Sequence, residues 1–161
     1  MTPADLLRSV QQVNASLSRH QEALHRDADL LVQGFSMALF NEIVSGGRYS
    51  PGTPIDTGFA RASWYGGIGG EGQPPSVAKP VTKRRGERAS EARAAALQIE
   101  ATAHKAKAGD TLILANAAPY VRRLEFGWSR QAPQGFIRRA VMAAQHILNE
   151  VAAHVLKLRP A

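Results

Sequence analysis

Apolar positions recur early in the chain as Leu6, Val10, Val13, Leu17, Leu24, Ala28, Leu31, Phe35, Leu39 and Ile43. Steps of three, four or seven residues place them on one face of a helix. Thr2-Pro3-Ala4-Asp5 suits its start, with Thr2 as cap, Pro3 in the first turn and Asp5 complementing the N-terminal dipole. Gly46-Gly47 stops it. Unbroken, such a helix runs roughly 60 Å at about 1.5 Å per residue. Residues 14–29 are thinly apolar, so a break or an exposed arm is expected near Ser18 to His20. This divides the chain into a helical arm over residues 1–20 and one domain over residues 21–161.

Beyond that helix the period changes. Ser50-Pro51-Gly52 marks a turn. Residues 59–66 alternate as a strand, with Phe59, Arg61, Ser63 and Tyr65 on one face and Ala60, Ala62 and Trp64 on the other. Residues 67–89 are Gly-, Pro- and Arg-rich and carry no period, which reads as a long flexible loop or hairpin arm inserted in the domain. An Ala-rich helix is expected over residues 90–108, capped by Ser90 and ended by Gly109. A strand over 111–115, a turn at Asn116 to Pro119 and a return strand over 120–126 predict an antiparallel hairpin. The last helix is expected over 135–158, with Phe136, Ala140, Ala144, Ile147, Val151, Val155 and Leu158 as its core stripe.

Composition narrows the chemistry. Apolar residues make up 44% of 161, ordinary for one globular domain, and no apolar run approaches a membrane span. There is no cysteine, so disulfides and thiolate metal sites are excluded. Neither a signal peptide nor a membrane partner is expected, and synthesis in the cytoplasm is the default. The formal charge of +7 opens the question of polyanion binding. Residues 79–107 hold eight Lys or Arg, among them Lys79, Lys83, Arg84, Arg85 and Arg88, against three Glu. Such a run can bind phosphates or an acidic partner face, but no aromatic residue is interleaved to stack on bases.

Gly67-Ile-Gly-Gly-Glu-Gly matches G-x-G-x-x-G, yet Gln73-Pro74-Pro75 follows where a phosphate site needs a helix. No two of the five histidines stand four apart, so no helical metal pair is offered. Asp56 and Glu125 could pair as acid and base. A turn cap for Asp56 and an Arg ion pair for Glu125 are the preferred readings. Tyr120 and Phe126 are assigned to the core, and Trp128, set among Gly, Ser and Arg, to an interface. No catalytic set, cofactor or metal emerges.

Two motifs carry more. The first is a turn leading into a segment with Arg and Trp: Pro54, Asp56, Thr57, Gly58, Arg61 and Trp64. The second runs from Gly109-Asp110 through Asn116, Pro119, Tyr120, Glu125, Gly127, Trp128, Ser129, Gln131, Pro133, Gly135 and Phe136. In order and spacing they resemble the tail-completion, or tail-terminator, proteins of long-tailed bacteriophages.

The resemblance implies an α+β fold: a small, mainly antiparallel twisted sheet packed by long N-terminal and C-terminal helices. It implies a structural virion protein of the neck, assembled in the host cytoplasm, that forms a ring, commonly a hexamer. Such a ring would cap the tail tube and join it to the head connector. Its partners would be itself, the tail tube protein and the connector or stopper protein, with transient contact to genomic DNA in the lumen. On that reading Arg61, Trp64, Arg122, Arg123, Glu125, Trp128, Ser129, Arg130 and Gln131 are interface candidates, the Arg residues for ion pairs between subunits. A head-closure protein that retains packaged DNA and a basic nucleic-acid-binding accessory protein remain the alternatives.

Overall fold

The computed structural model describes residues 2–70, 72–76 and 84–157. Helix α1 spans Pro3–Val44 without a break. Thr2 and Asp5 form a reciprocal capping box, each accepting from the other's backbone N–H. The break expected near Ser18 to His20 is absent. No Gly or Pro lies between residues 4 and 33, and the polar stretch folds its side chains onto the helix. Arg19 Nε donates to the Ala15 carbonyl at 3.2 Å and the His20 ring meets that of Ser16 at 2.8 Å. The arm is nonetheless exposed over residues 2–15.

Helix α2 is a single turn, Phe59–Ala62, and strand β1 follows at Trp64–Ile68. The strand expected over 59–66 therefore begins five residues late. Phe59, Ala60 and Ala62 are all buried, which no alternating strand allows, and the Ser63 hydroxyl closes the turn onto the Phe59 carbonyl at 2.7 Å. Helix α3 covers Ala89–His104 and strand β2 covers Leu112–Asn116. Arg88, not Ser90, stands at the cap position of α3.

The partner of β2 is β1. The two pair antiparallel from Trp64 opposite Asn116 to Ile68 opposite Leu112. The hairpin expected from 111–126 does not form. Val121–Arg123 is a helical turn, α4, continued by a wide turn over Leu124–Trp128. Arg-Arg-Leu-Glu favours helix, and the Asn116 side chain turns the chain away from the sheet. Its Nδ2 donates to the Ala60 carbonyl and its Oδ1 accepts from Ala118 N, both at 2.8 Å. The last helix comes in two pieces, α5 at Ile137–Met142 and α6 at Ala144–Lys157. The division is a tightened turn at Ala143, whose N–H reaches the Ala140 carbonyl three residues back.

The fold is α+β, a two-stranded antiparallel sheet packed among long helices. Its core joins Phe40, Ile43 and Val44 of α1 with Trp64, Ile99, Phe136 and Ala140. Trp64 and Phe136 meet edge to face with centroids 6.4 Å apart. Trp64 Nε1 donates to Thr53 Oγ1 at 2.8 Å, and that hydroxyl donates to the Ile43 carbonyl at 2.9 Å. A buried indole N–H thus finds a partner that also closes the last turn of α1. No helix among the described residues is long and apolar enough to cross a membrane.

Candidate functional site

The two sequence motifs meet. Pro54 and residues 56–60 form one wall of a groove of about 310 Å³, and Tyr120, Leu124 and residues 128–131 form the other. Both walls are loops and short helical turns held by specific side chains rather than by the sheet.

Glu125 organises the second wall. Its carboxylate accepts from the backbone N–H groups of Phe136 at 2.9 Å, Ile137 at 2.8 Å and Arg138 at 3.0 Å. It thereby caps α5 and gathers the loop between. Arg138 Nε adds a contact at 3.3 Å, and its Nη2 donates to the Glu125 carbonyl at 3.0 Å. Burial works against ionising Glu125 and is the largest single influence. The three backbone N–H groups and Arg138 together outweigh it and hold the pKa below the ordinary carboxylate value. The Arg partner expected for Glu125 is therefore present, within the chain, and the carboxylate's main task is the cap.

Gly127 and Gly135 make this closure possible. Both sit at positive φ, 87° and 81°, and a Cβ on Gly127 would lie 2.5 Å from the Pro133 carbonyl oxygen. The loop from Gly127 to Gly135 is thus pressed onto itself, with Ala132 and Phe136 fully buried beneath it.

Gln131 ties the walls together. Its Nε2 donates to the Ile55 carbonyl at 2.7 Å and its Oε1 accepts from Ile55 N at 2.9 Å. The side-chain amide imitates a strand neighbour, pairing both backbone groups of one residue. Ser129 Oγ accepts from Gln131 N at 3.2 Å, shaping the same turn. On the first wall, Gly58 adopts φ 89° and starts α2, while Thr57 and Asp56 carbonyls accept from Arg88 N at 2.7 Å and Gly86 N at 2.8 Å. The end of the 67–89 insertion is anchored here.

Several expected site residues change role. Trp64 is 3% exposed and belongs to the core, not to an interface. Arg61 is half-buried and points inward. Its Nε donates to the Thr53 carbonyl and its Nη2 to the Ser45 carbonyl, both at 3.1 Å, where a cation suits the C-terminus of α1. Burial lowers its pKa. Arg88 is committed within the chain, with Glu91 at 3.1 Å and Glu87 at 3.9 Å. Asp56 is exposed and its carboxylate caps no turn among the described residues. Phe126, expected in the core, is 63% exposed and carries the Arg138 guanidinium 5.6 Å from its ring centroid.

What remains exposed is concentrated on the rim. Trp128 is 74% exposed, the Arg123 guanidinium lies 5.1 Å from its ring centroid, and Arg122 and Arg130 are exposed nearby in sequence. Tyr120, also expected in the core, is 37% exposed and lines the groove. Its pKa is raised by burial first and by the Asp56 charge second. Pro54 and Pro119 bracket the turns that lead in and out. Of the basic insertion, Arg84 and Arg85 are exposed, while Lys79 and Lys83 lie outside the described residues.

Asp56 and Glu125 are not a reacting pair, because Glu125 is saturated by the α5 cap. Among the described residues no three His, Asp or Glu side chains gather as a metal set. The pairing of Gln131 with Ile55 and the cation over Trp128 were not read from the sequence. The Gln in Ser-Arg-Gln-Ala-Pro was the available signal. No family model, curated protein or solved structure matches this chain.

Proposed function

We propose that this chain is a structural virion protein of the phage neck, a tail-completion or tail-terminator protein. Subunits form a ring that caps the tail tube and joins it to the head. The observation that carries the reading is the convergence of the two motifs on one groove, with Trp128 standing free at its rim. Residues that resemble the family's pattern could have been scattered over the fold. Instead Gln131 binds Ile55 and the two motifs share one surface.

The role is binding alone. Glu125, Gly127, Gly135 and Gln131 hold the loop in shape. Trp128 supplies a rigid apolar contact at low entropy cost, and Arg122, Arg123 and Arg130 make the surroundings cationic, which suits an acidic partner face. In a closed ring one surface meets a different one on the next subunit, so the groove would meet a different face of its neighbour.

The test is electron microscopy of particles made without this protein, before and after adding it in purified form. Full heads and free tails that join on addition are the expected result. Particles already joined, with normal tails, would overturn the reading. Joined particles whose heads have lost their DNA would place the chain at head closure instead.

A further inference from the structure

Helix α1 carries its apolar stripe along most of its length, but only the second half is covered. There α6 lies close against it: a Cβ on Gly34 would fall 2.8 Å from Val151 Cγ1. Toward the N-terminus Leu6, Val10, Val13, Leu17 and Leu24 are 49–63% exposed. Their steps of four and three are the repeat of a coiled coil, with Leu6 and Val13 at d and Val10, Leu17 and Leu24 at a. His20 takes the intervening d position.

The chemistry around this seam selects its occupant. Apart from Leu7, which flanks the seam at 64% exposure, the stripe is narrow, and no Phe, Tyr or Trp precedes Phe35. A helix lying on a membrane surface needs a broad apolar face and a cationic polar one. Here the polar face mixes Asp5, Arg8, Arg19, Glu22 and Arg26, and all of them fall at c and f, away from the seam. The flanking e and g positions hold Leu7, Asn14, Gln21 and Ser9, Ser16, Ala23, with no charge among them. Charged e and g residues choose a particular partner and, when alike, repel a second copy. Uncharged ones let identical helices meet, and the small g residues allow close approach. A protruding helix also draws most of its stability from packing on its apolar face.

We propose that the N-terminal arms of separate copies of this chain pack against one another through the seam over residues 6–24, as a coiled coil. This does not rest on the neck assignment.

Sedimentation of the full chain tests it, comparing wild type with the double variant Val13→Asp/Leu17→Asp and with the control Ala15→Asp at an f position. Wild type and control are expected at a multiple of 17.3 kDa, and the seam variant at a lower mass. Near-UV circular dichroism of buried Trp64 is expected to be the same in all three, so that loss of assembly is distinguished from loss of the core. A wild type that stays at 17.3 kDa at high concentration, or a seam variant with unchanged mass, would overturn the proposal.

Discussion

The two tryptophans come from the two motifs and meet opposite fates. Trp64 is buried at 3% exposure, hydrogen-bonded to Thr53 and packed edge-on against Phe136. Trp128 is 74% exposed, with the Arg123 guanidinium over its ring. Both stand in a motif with Gly and Arg, and sequence reading placed both at an interface. The difference lies in what each backbone does. Trp64 opens a strand whose inner face is the core. Trp128 follows Gly127 at φ 87°, which turns the chain outward just where the Glu125 cap pulls its two ends together. One tryptophan serves the fold, and the other is left in solvent, where the proposed docking role would use it.

Substitutions sharpen that contrast. Trp64→Ala has the largest expected effect on stability, a loss of about 3–5 kcal/mol measured by denaturant unfolding, because it empties the centre of the core. Thr53→Val keeps the volume but leaves the indole N–H unpaired, and is expected to cost about 1–3 kcal/mol in the same measurement.

Glu125→Gln tests the scaffold beneath Trp128. The native pKa of Glu125 lies below the ordinary carboxylate value near 4.5. Its ionised form therefore contributes stability above that value, and the contribution is lost as pH falls through the lower, folded pKa. The variant is expected to be about 1–2 kcal/mol less stable than wild type at pH 7. The difference should shrink as the solution is acidified. A gap that is constant from pH 7 to pH 3 would show that the cap does not depend on charge.

How much of this was legible follows from which interactions are local. The stripe of α1 and its Thr2 to Asp5 start were read from spacing alone, because a helix closes its bonds within one turn. The turn that ends at Gly58 was legible for the same reason, whereas the positive φ of Gly127 and Gly135 came from the structure. Strand pairing was not. Between Trp64 and its partner Asn116 lie the whole insertion and α3, and nothing within residues 59–66 announces a register. The return strand over 120–126 was misread because Tyr120, Leu124 and Phe126 sit at even steps, while Arg-Arg-Leu-Glu between them prefers helix. Gln131 was expected at an interface, and the structure gives it a task within the chain. Its amide looks like a surface donor until Ile55, far off in sequence, is seen beside it.

Trp128→Ala has the smallest expected effect on stability, under about 0.5 kcal/mol, since the ring buries little. It also gives the most direct measurement. Purified wild type and Trp128→Ala, shown to unfold alike, are added to heads and tails that lack this protein, and joined particles are counted by electron microscopy. The wild type is expected to join them and the variant to leave most heads and tails apart. Equal joining by both proteins would contradict the assignment of Trp128 as the docking contact.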